Sequence, residues 1–271
     1  MNRKPVVAGQ FYPGDPALLD AEVQNFLSKT TAAQPGAGRT LLAMVPHAGY
    51  MFSGEVCGRT LRQAVLPRTL VLLGPNHTGL GERIAVWSEG TWEIPGAAVP
   101  VNEELGRALL EHVPGCTFDP LAHKREHSLE VVLPFLRHLN PATRIVPVAV
   151  SEPSPETLVA AGLALGKLLS SWDEPVSMIV SSDMSHYVSQ KRAHELDHKA
   201  VDAVLTLEPG LLYQTVRQER ITMCGVLPMT LALSAAVAMG ASSGRLTCYA
   251  TSADVTGDLE QVVGYAGILV E

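Results

Sequence analysis

Residues 69–77 read TLVLLGPNH, and this stretch decides the fold. Its apolar run, Leu70 to Leu73, does not alternate with polar residues. A continuous run of this kind fits a strand covered on both faces rather than one half-open to water. It then runs out through Gly74 and Pro75 into a polar segment that carries His77. The pattern recurs at LLAMVPH (41–47), which ends in His47, and at VSMIVSSDMSH (176–186), which ends in Asp183, Ser185 and His186. RIVPVAV (144–150), RLTCYATS (245–252) and VVGYAGILV (262–270) also read as strands.

Helical patterns lie between the strands. PALLDAEVQNFLS (16–28), SPETLVAAGLALGKLLSSW (154–172) and AHELDHKAVDAVLTL (193–207) carry apolar residues at helical spacing, and VLPMTLALSAAVAMGA (226–241) reads as a buried helix. Strands alternating with helices predict a layered α/β domain. The Gly/Pro/Ala stretch at 32–38 reads as a surface loop rather than a linker, so residues 1–271 are expected to form one domain.

Composition excludes several function classes. The formal net charge is −7, and no basic cluster is longer than KREH or QKR. Nucleic acid and anionic membranes are therefore poor partners. No stretch reaches the ~18 to 20 apolar residues of a membrane span, and the first residues lack the apolar core of a signal peptide. A cytoplasmic location is the expectation. The cysteines, Cys57, Cys116, Cys224 and Cys248, form no C-x-x-C pair, so a zinc knuckle or dithiol motif is not expected, nor are disulfides.

One motif invites a different reading. Residues 194–198 spell HELDH, and H-E-x-x-H on a helix is the zinc-protease signature. At about 100° per residue, Leu196, Ala200, Ala203, Val204 and Leu207 share an apolar stripe, with His194 and His198 roughly opposite it. The expected outcome is a solvated face that spells the motif by chance.

The chemistry is expected at the ends of the strands, where open α/β sheets bind ligands. His47, His77, Asp183 and His186 would converge there, and Gly74 would let backbone and neighbours approach closely. Cys224 precedes the apolar helix at 226. A helix N-terminus would lower its thiol pKa; the alternative is a small buried hydrophobe. In EHSLEVVLPFL (126–136), Leu129, Val132, Leu133 and Leu136 form a helical stripe with Ser128 as N-cap. His127 then either faces the site or ends a loop. His123 is a weaker candidate, and His112 and His138 read as solvated helix ends.

Taken together, AGQFYPGD (8–15), VPHAGYMFSG (45–54), LLGPNHTG (72–79), EHSLEVVLPFL (126–136), SSDMSHY (181–187), CG (224–225) and TGDLEQVVGYAG (256–267) resemble the Memo family, whose prokaryotic members are called AmmeMemoRadiSam system protein B. The resemblance implies one three-layer α/β/α domain with a mainly parallel or mixed sheet, similar to the class III extradiol dioxygenases. It implies metal ligands at His47, His77 and Cys224, and further site positions at Asp183 and His186. Iron(II) or copper is the implied cofactor, with zinc conceivable in a purified sample. A metal-dependent redox or dioxygenase-like enzyme is the leading expectation, with His186 as general acid–base, Asp183 as an orienting group and His127 as a hydrogen-bonding group. A non-catalytic module for a peptide or small anion, or a protein that stores or delivers the metal, is the alternative. The family name further implies a radical SAM enzyme and an AmmeMemo-type protein as partners.

Overall fold

The computed structural model describes residues 1–34 and 38–271; positions 35–37, inside the expected loop at 32–38, lie outside the described residues. In chain order the elements are β1 (Asn2–Arg3), α1 (Pro16–Ser28), β2 (Leu42–Val45), α2 (Tyr50–Arg62), β3 (Thr69–Pro75), β4 (Ile84–Val86), β5 (Thr91–Ile94), β6 (Ala97–Pro100), α3 (Glu103–His112), β7 (Cys116–Phe118), α4 (Leu133–Leu139), β8 (Arg144–Val150), α5 (Pro155–Ser170), β9 (Val176–Ser181), β10 (His186–Val188), α6 (Gln190–Leu205), α7 (Pro209–Gln218), α8 (Val226–Ala238), β11 (Gly244–Thr251), α9 (Ala253–Thr256) and β12 (Val262–Val270).

The large sheet runs β10-β12-β2-β9-β3-β8-β4-β7, with β11 also paired on β12. Its centre, β2-β9-β3-β8, is parallel. The flanking pairs β12–β2 and β8–β4 are antiparallel, so the sheet is mixed. β1, β5 and β6 form a separate three-stranded sheet.

The continuous apolar runs are explained by the two cores. In β2, Leu42 and Met44 join one apolar cluster, whereas Ala43 and Val45 join the other. In β3 the split is Val71 and Leu73 against Leu70 and Leu72. Successive side chains of a strand point to opposite faces, so a strand buried on both must be apolar throughout. Residues of α5, α6, α7 and α8 supply the first cluster, and residues of α1, α2 and α4 the second. This is a helix–sheet–helix sandwich with no closed barrel.

Helix starts follow ordinary capping chemistry. Asp15 accepts hydrogen bonds from the amides of Ala17 and Leu18, with Pro16 in the first turn of α1. Ser154 and Ser189 cap α5 and α6 in the same manner. Three expectations need correction. α4 begins at Leu133, and Ser128 does not cap it: residues 128–132 form turns, and the Ser128 hydroxyl points instead to the Pro75 carbonyl at 3.4 Å. The expected strand at 176–186 stops at Ser181 and resumes as β10. Cys116, expected in a loop, opens β7. No described helix is long and apolar enough to cross a membrane.

Candidate metal centre

Three adjacent parallel strands end together. Val45 of β2 lies opposite Ser181 of β9, and Leu73 of β3 lies opposite Val180. His47 follows β2 by two residues, Asp183 follows β9 by two, and His77 follows β3 by two, so the common register delivers all three to one sheet edge. After β2 the chain enters α2, which packs on one face of the sheet, while α6, reached after β9 by way of β10, packs on the other. The edge between β2, β9 and β3 is thus a switch point of the kind that opens a crevice. Cys224 arrives from the opposite direction, immediately before the N-cap Gly225 of α8. Gly225 donates its amide to the Ser182 hydroxyl at 3.0 Å, which docks this helix start on the end of β9. One ligand-type atom from each of His47, His77 and Cys224 lies within 4.8 Å of the others.

The hydrogen bonds decide which imidazole nitrogen is free. The Ser181 hydroxyl donates its single proton to the Ser128 carbonyl at 2.7 Å. Toward His47 it must therefore accept, and His47 Nδ1–H donates to it at 2.7 Å. That leaves the lone pair on Nε2, which faces Cys224 Sγ at 3.5 Å. At His77, Nδ1 meets the Glu126 carboxylate at 2.9 Å, and the His77 amide donates to the other oxygen at 2.5 Å. An ionised carboxylate only accepts, so the neutral His77 ring carries its proton on Nδ1 and its lone pair on Nε2, and any second proton must leave Nε2 before an ion binds there. Both rings are set in the tautomer that a metal needs, each by a partner on its far nitrogen.

The electrostatics follow from burial. Desolvation lowers the His47 pKa to about 4, against the opposing charge of Asp183, so its ring is neutral. Burial alone would lower His77, but the hydrogen bond and charge of Glu126 outweigh it and raise the pKa. Burial alone would raise Glu126; the His77 hydrogen bond and charge, with the amides of Ser128 and His77, bring it down to about 2. The Cys224 thiol departs from expectation. Burial, and then the charge of Asp183, push its pKa up, overriding any lowering from the start of α8. Without an ion it is a thiol that accepts from the Asp183 amide at 3.2 Å; as a metal ligand it would lose its proton.

Glu126 is, with Ser181, a functional residue that sequence reasoning missed. Its side chain is fully buried, and its carboxylate holds His77 twice and the Ser128 amide once, at 2.9 Å. A second group of ligand-type atoms, His77, Glu126 and His127, also lies within 4.8 Å. Because the carboxylate is already taken by three donors, it serves as the orienting partner of His77. Gly74 makes room for this arrangement, since a Cβ there would meet the Ser128 hydroxyl at 2.7 Å and Leu129 at 2.8 Å. The only signal in the sequence is an acid beside His127, just ahead of the apolar run that becomes α4.

In front of the group lies a cavity of about 720 Å³ lined by His47, His77, His127, Asp183 and His186, among others. His127 stacks on His77, with ring centroids 5.0 Å apart, so it faces the site rather than ending a loop. Burial lowers its pKa, so the ring is neutral near pH 7. Asp183 is buried and accepts the His47 amide at 2.8 Å; its other oxygen lies 3.9 Å from His47 Nε2. His186 Nδ1 donates to the Thr222 carbonyl at 3.0 Å, which leaves Nε2 free to accept a proton. The segment at 9–13 forms a further wall, with the Phe11 ring centroid 5.0 Å from that of His127. It is anchored by the buried ion pair of Arg3 with Glu130 at 2.8 Å and by the Tyr12 hydroxyl on Glu130 at 2.7 Å.

HELDH lies elsewhere. His194, Glu195 and His198 are exposed, and both imidazoles rest against Tyr249. His198 Nδ1 donates to the carbonyl of His194 at 2.8 Å. Among the described residues no third ligand-type atom joins them. Besides the core residue Leu196, Asp197 faces inward, accepting from the Ser185 amide at 2.9 Å and the Tyr249 hydroxyl at 2.7 Å. His123 is fully buried with Nε2 on the Ala85 carbonyl at 2.9 Å, and His138 pairs with Asp20 at 2.8 Å.

Comparison with known proteins adds a family. The family model described as Memo-like protein matches residues 3–269. A MEMO1 family protein of Methanopyrus kandleri is 38% identical over 279 residues, covering 99% of each chain. A MEMO1 family protein of Aquifex aeolicus is 38% identical over 98% of each chain, and one of Thermotoga maritima is 37% identical over 100% of each. Among solved structures, an uncharacterized protein of Escherichia coli K12 superposes with a TM-score of 0.53 at 15% identity, covering 84% of this chain and 99% of that one. That likeness concerns the fold alone.

Proposed function

The chain belongs to the Memo-like family, and from that premise we propose that it holds one redox-active ion, iron(II) or copper, on His47 Nε2, His77 Nε2 and Cys224 Sγ, and uses it in an oxygenase-like or other redox step on a small molecule. The observation that carries this reading is the pair of tautomers. Two imidazoles present lone pairs beside one thiol, with ligand atoms within 4.8 Å. Two imidazoles and a thiolate suit iron or copper, and three protein ligands leave room for substrate. When bound, the ion would supply Lewis acidity and electron transfer.

The remaining roles belong to the chain's own residues. Ser181 and Glu126 hold the two rings in place. His186 Nε2 takes or returns a proton at the cavity, its other nitrogen being tied to Thr222. Asp183 keeps His47 in position through its amide and turns an oxygen toward the ring. His127 offers a neutral hydrogen-bonding group. The reading as a module for anions is disfavoured by a lining that contains neither Lys nor Arg. We place the protein beside a radical SAM enzyme and an AmmeMemo-type partner, as its family resemblance implies.

The test is anaerobic reconstitution with iron(II) or copper, followed by metal analysis of the wild type and of His47→Ala, His77→Ala and Cys224→Ser. One ion per chain in the wild type and little in each variant is expected. Equal stoichiometry in all four proteins would remove the proposal.

A further inference from the structure

Apart from its histidines, the cavity before the candidate metal centre carries charge of one sign. Glu22 and Asp183 line it, with no lysine or arginine. Glu22 projects from α1, and no hydrogen bond or ion pair holds its side chain among the described residues, although it is only partly exposed. Burial raises its carboxyl pKa, the mark of an anion that lacks a counter-charge. Arg3, behind Tyr12 of the lining, is already committed to Glu130 at 2.8 Å. A divalent ion in the centre would not reverse the sign, because the Cys224 thiolate, Asp183, Glu126 and Glu22 together outweigh it.

The apolar part of the lining is aromatic. The whole chain has five Phe and six Tyr, yet two of the former and four of the latter line this one cavity. Tyr187 is held there 74% exposed, on a backbone with φ of 57°, a strained conformation for a bulky residue. Phe11 and Phe52 are partly exposed along the same wall, and Tyr265 lines the cavity close enough for the charge of Asp183 to act on its hydroxyl. Aromatic faces beside a carboxylate without a partner are the chemistry that receives organic ammonium ions, through the ring quadrupole and the opposite charge together.

We infer that the cavity takes a ligand with a protonated amine on a flat apolar body and rejects anions, Glu22 meeting the ammonium group and the aromatic wall its body. The inference rests on the proposed redox site for its meaning as a substrate class, but the selectivity itself belongs to the lining.

The experiment is calorimetric titration of the full chain at pH 7, with metal content measured on each preparation. The probes are phenethylamine, phenylacetate and phenyl phosphate, which differ chiefly in charge. The amine is expected to bind at least about tenfold more tightly than either anion. Glu22→Gln should weaken the amine by about three- to tenfold and leave the anions no weaker, and Glu22→Lys should favour the anions. An anion that binds as tightly as the amine, failure of all three probes at millimolar concentration, or an unaltered amine affinity in Glu22→Gln would overturn the inference. A preparation that prefers the amine but takes up no metal would count against the redox reading alone. Full metal occupancy without amine preference would count against this inference alone.

Discussion

Two histidine pairs in this molecule make opposite use of the same side chain. His194 and His198 sit one turn apart in a motif that names a zinc enzyme, and they face water. His47 and His77 are thirty positions apart at the ends of two different strands, and they meet with ring centroids at 5.3 Å. The difference lies in what holds the far nitrogen. Ser181 and Glu126 take Nδ1 of His47 and His77 and aim each Nε2 at a shared point. In the helix, His198 spends Nδ1 on the carbonyl of His194, and the ring faces an exposed surface. Spacing along a helix makes a pair of ligands available; only a second layer of partners and a third ligand make it a site.

The contrast can be broken most severely at Cys224. Cys224→Ser should lower metal affinity by more than about 100-fold, whereas the double variant His194→Ala/His198→Ala should bind metal as the wild type does, measured by competition with a chelator. Metal loss in the double variant would collapse the distinction. Next in size is Glu126→Gln. An amide cannot accept all three donors that the carboxylate holds, so His77 loses its fixed orientation. Affinity should fall by about 10- to 100-fold, with the stoichiometry recoverable at high metal concentration.

The same pair should show in the stability of the metal-free protein. The folded-state pKa of His77 is raised above its ordinary 6.5, so its stabilisation is complete below 6.5 and lost as pH rises through the folded value. That of Glu126 is depressed from 4.5 to about 2, so its stabilisation is complete above 4.5 and lost as pH falls toward 2. The loss of melting temperature in Glu126→Gln should therefore be greatest between pH 4.5 and 6.5. A loss independent of pH would show that charge plays no part. Metal binding displaces the Cys224 proton, whose pKa burial raises, so affinity should fall by about tenfold per unit of falling pH, and more steeply below the raised pKa of His77, where a second proton must leave. Cys224→Ser should remove one proton from that slope. The smallest effect belongs to the helix. His194→Ala alone should change stability by no more than about 0.5 kcal/mol in thermal unfolding, since its side chain is exposed.

Much of the fold was legible because burial on two faces leaves a local trace. The unbroken apolar runs at 41–47, 69–77 and 176–186 mark β2, β3 and β9. Their order was not legible, because β9 slips between β2 and β3 through pairing distant in sequence. The side chains that end each strand could be named, since a histidine or an aspartate after an apolar run stands out. Ser181 and Glu126 could not, because an ordinary serine and an ordinary glutamate acquire their meaning from partners 134 and 49 positions away. Ser128 shows the converse. It has the composition of a helix cap, but its hydroxyl is drawn to the Pro75 carbonyl beside Gly74, and the helix starts five residues later.

The most direct test of the central claim is X-ray absorption at the metal edge of the reconstituted protein. Two imidazole nitrogens and one sulfur bound to the ion are expected, with the sulfur signal lost in Cys224→Ser and one imidazole lost in His77→Ala. A spectrum without sulfur in the wild type, or one that neither substitution alters, would contradict it.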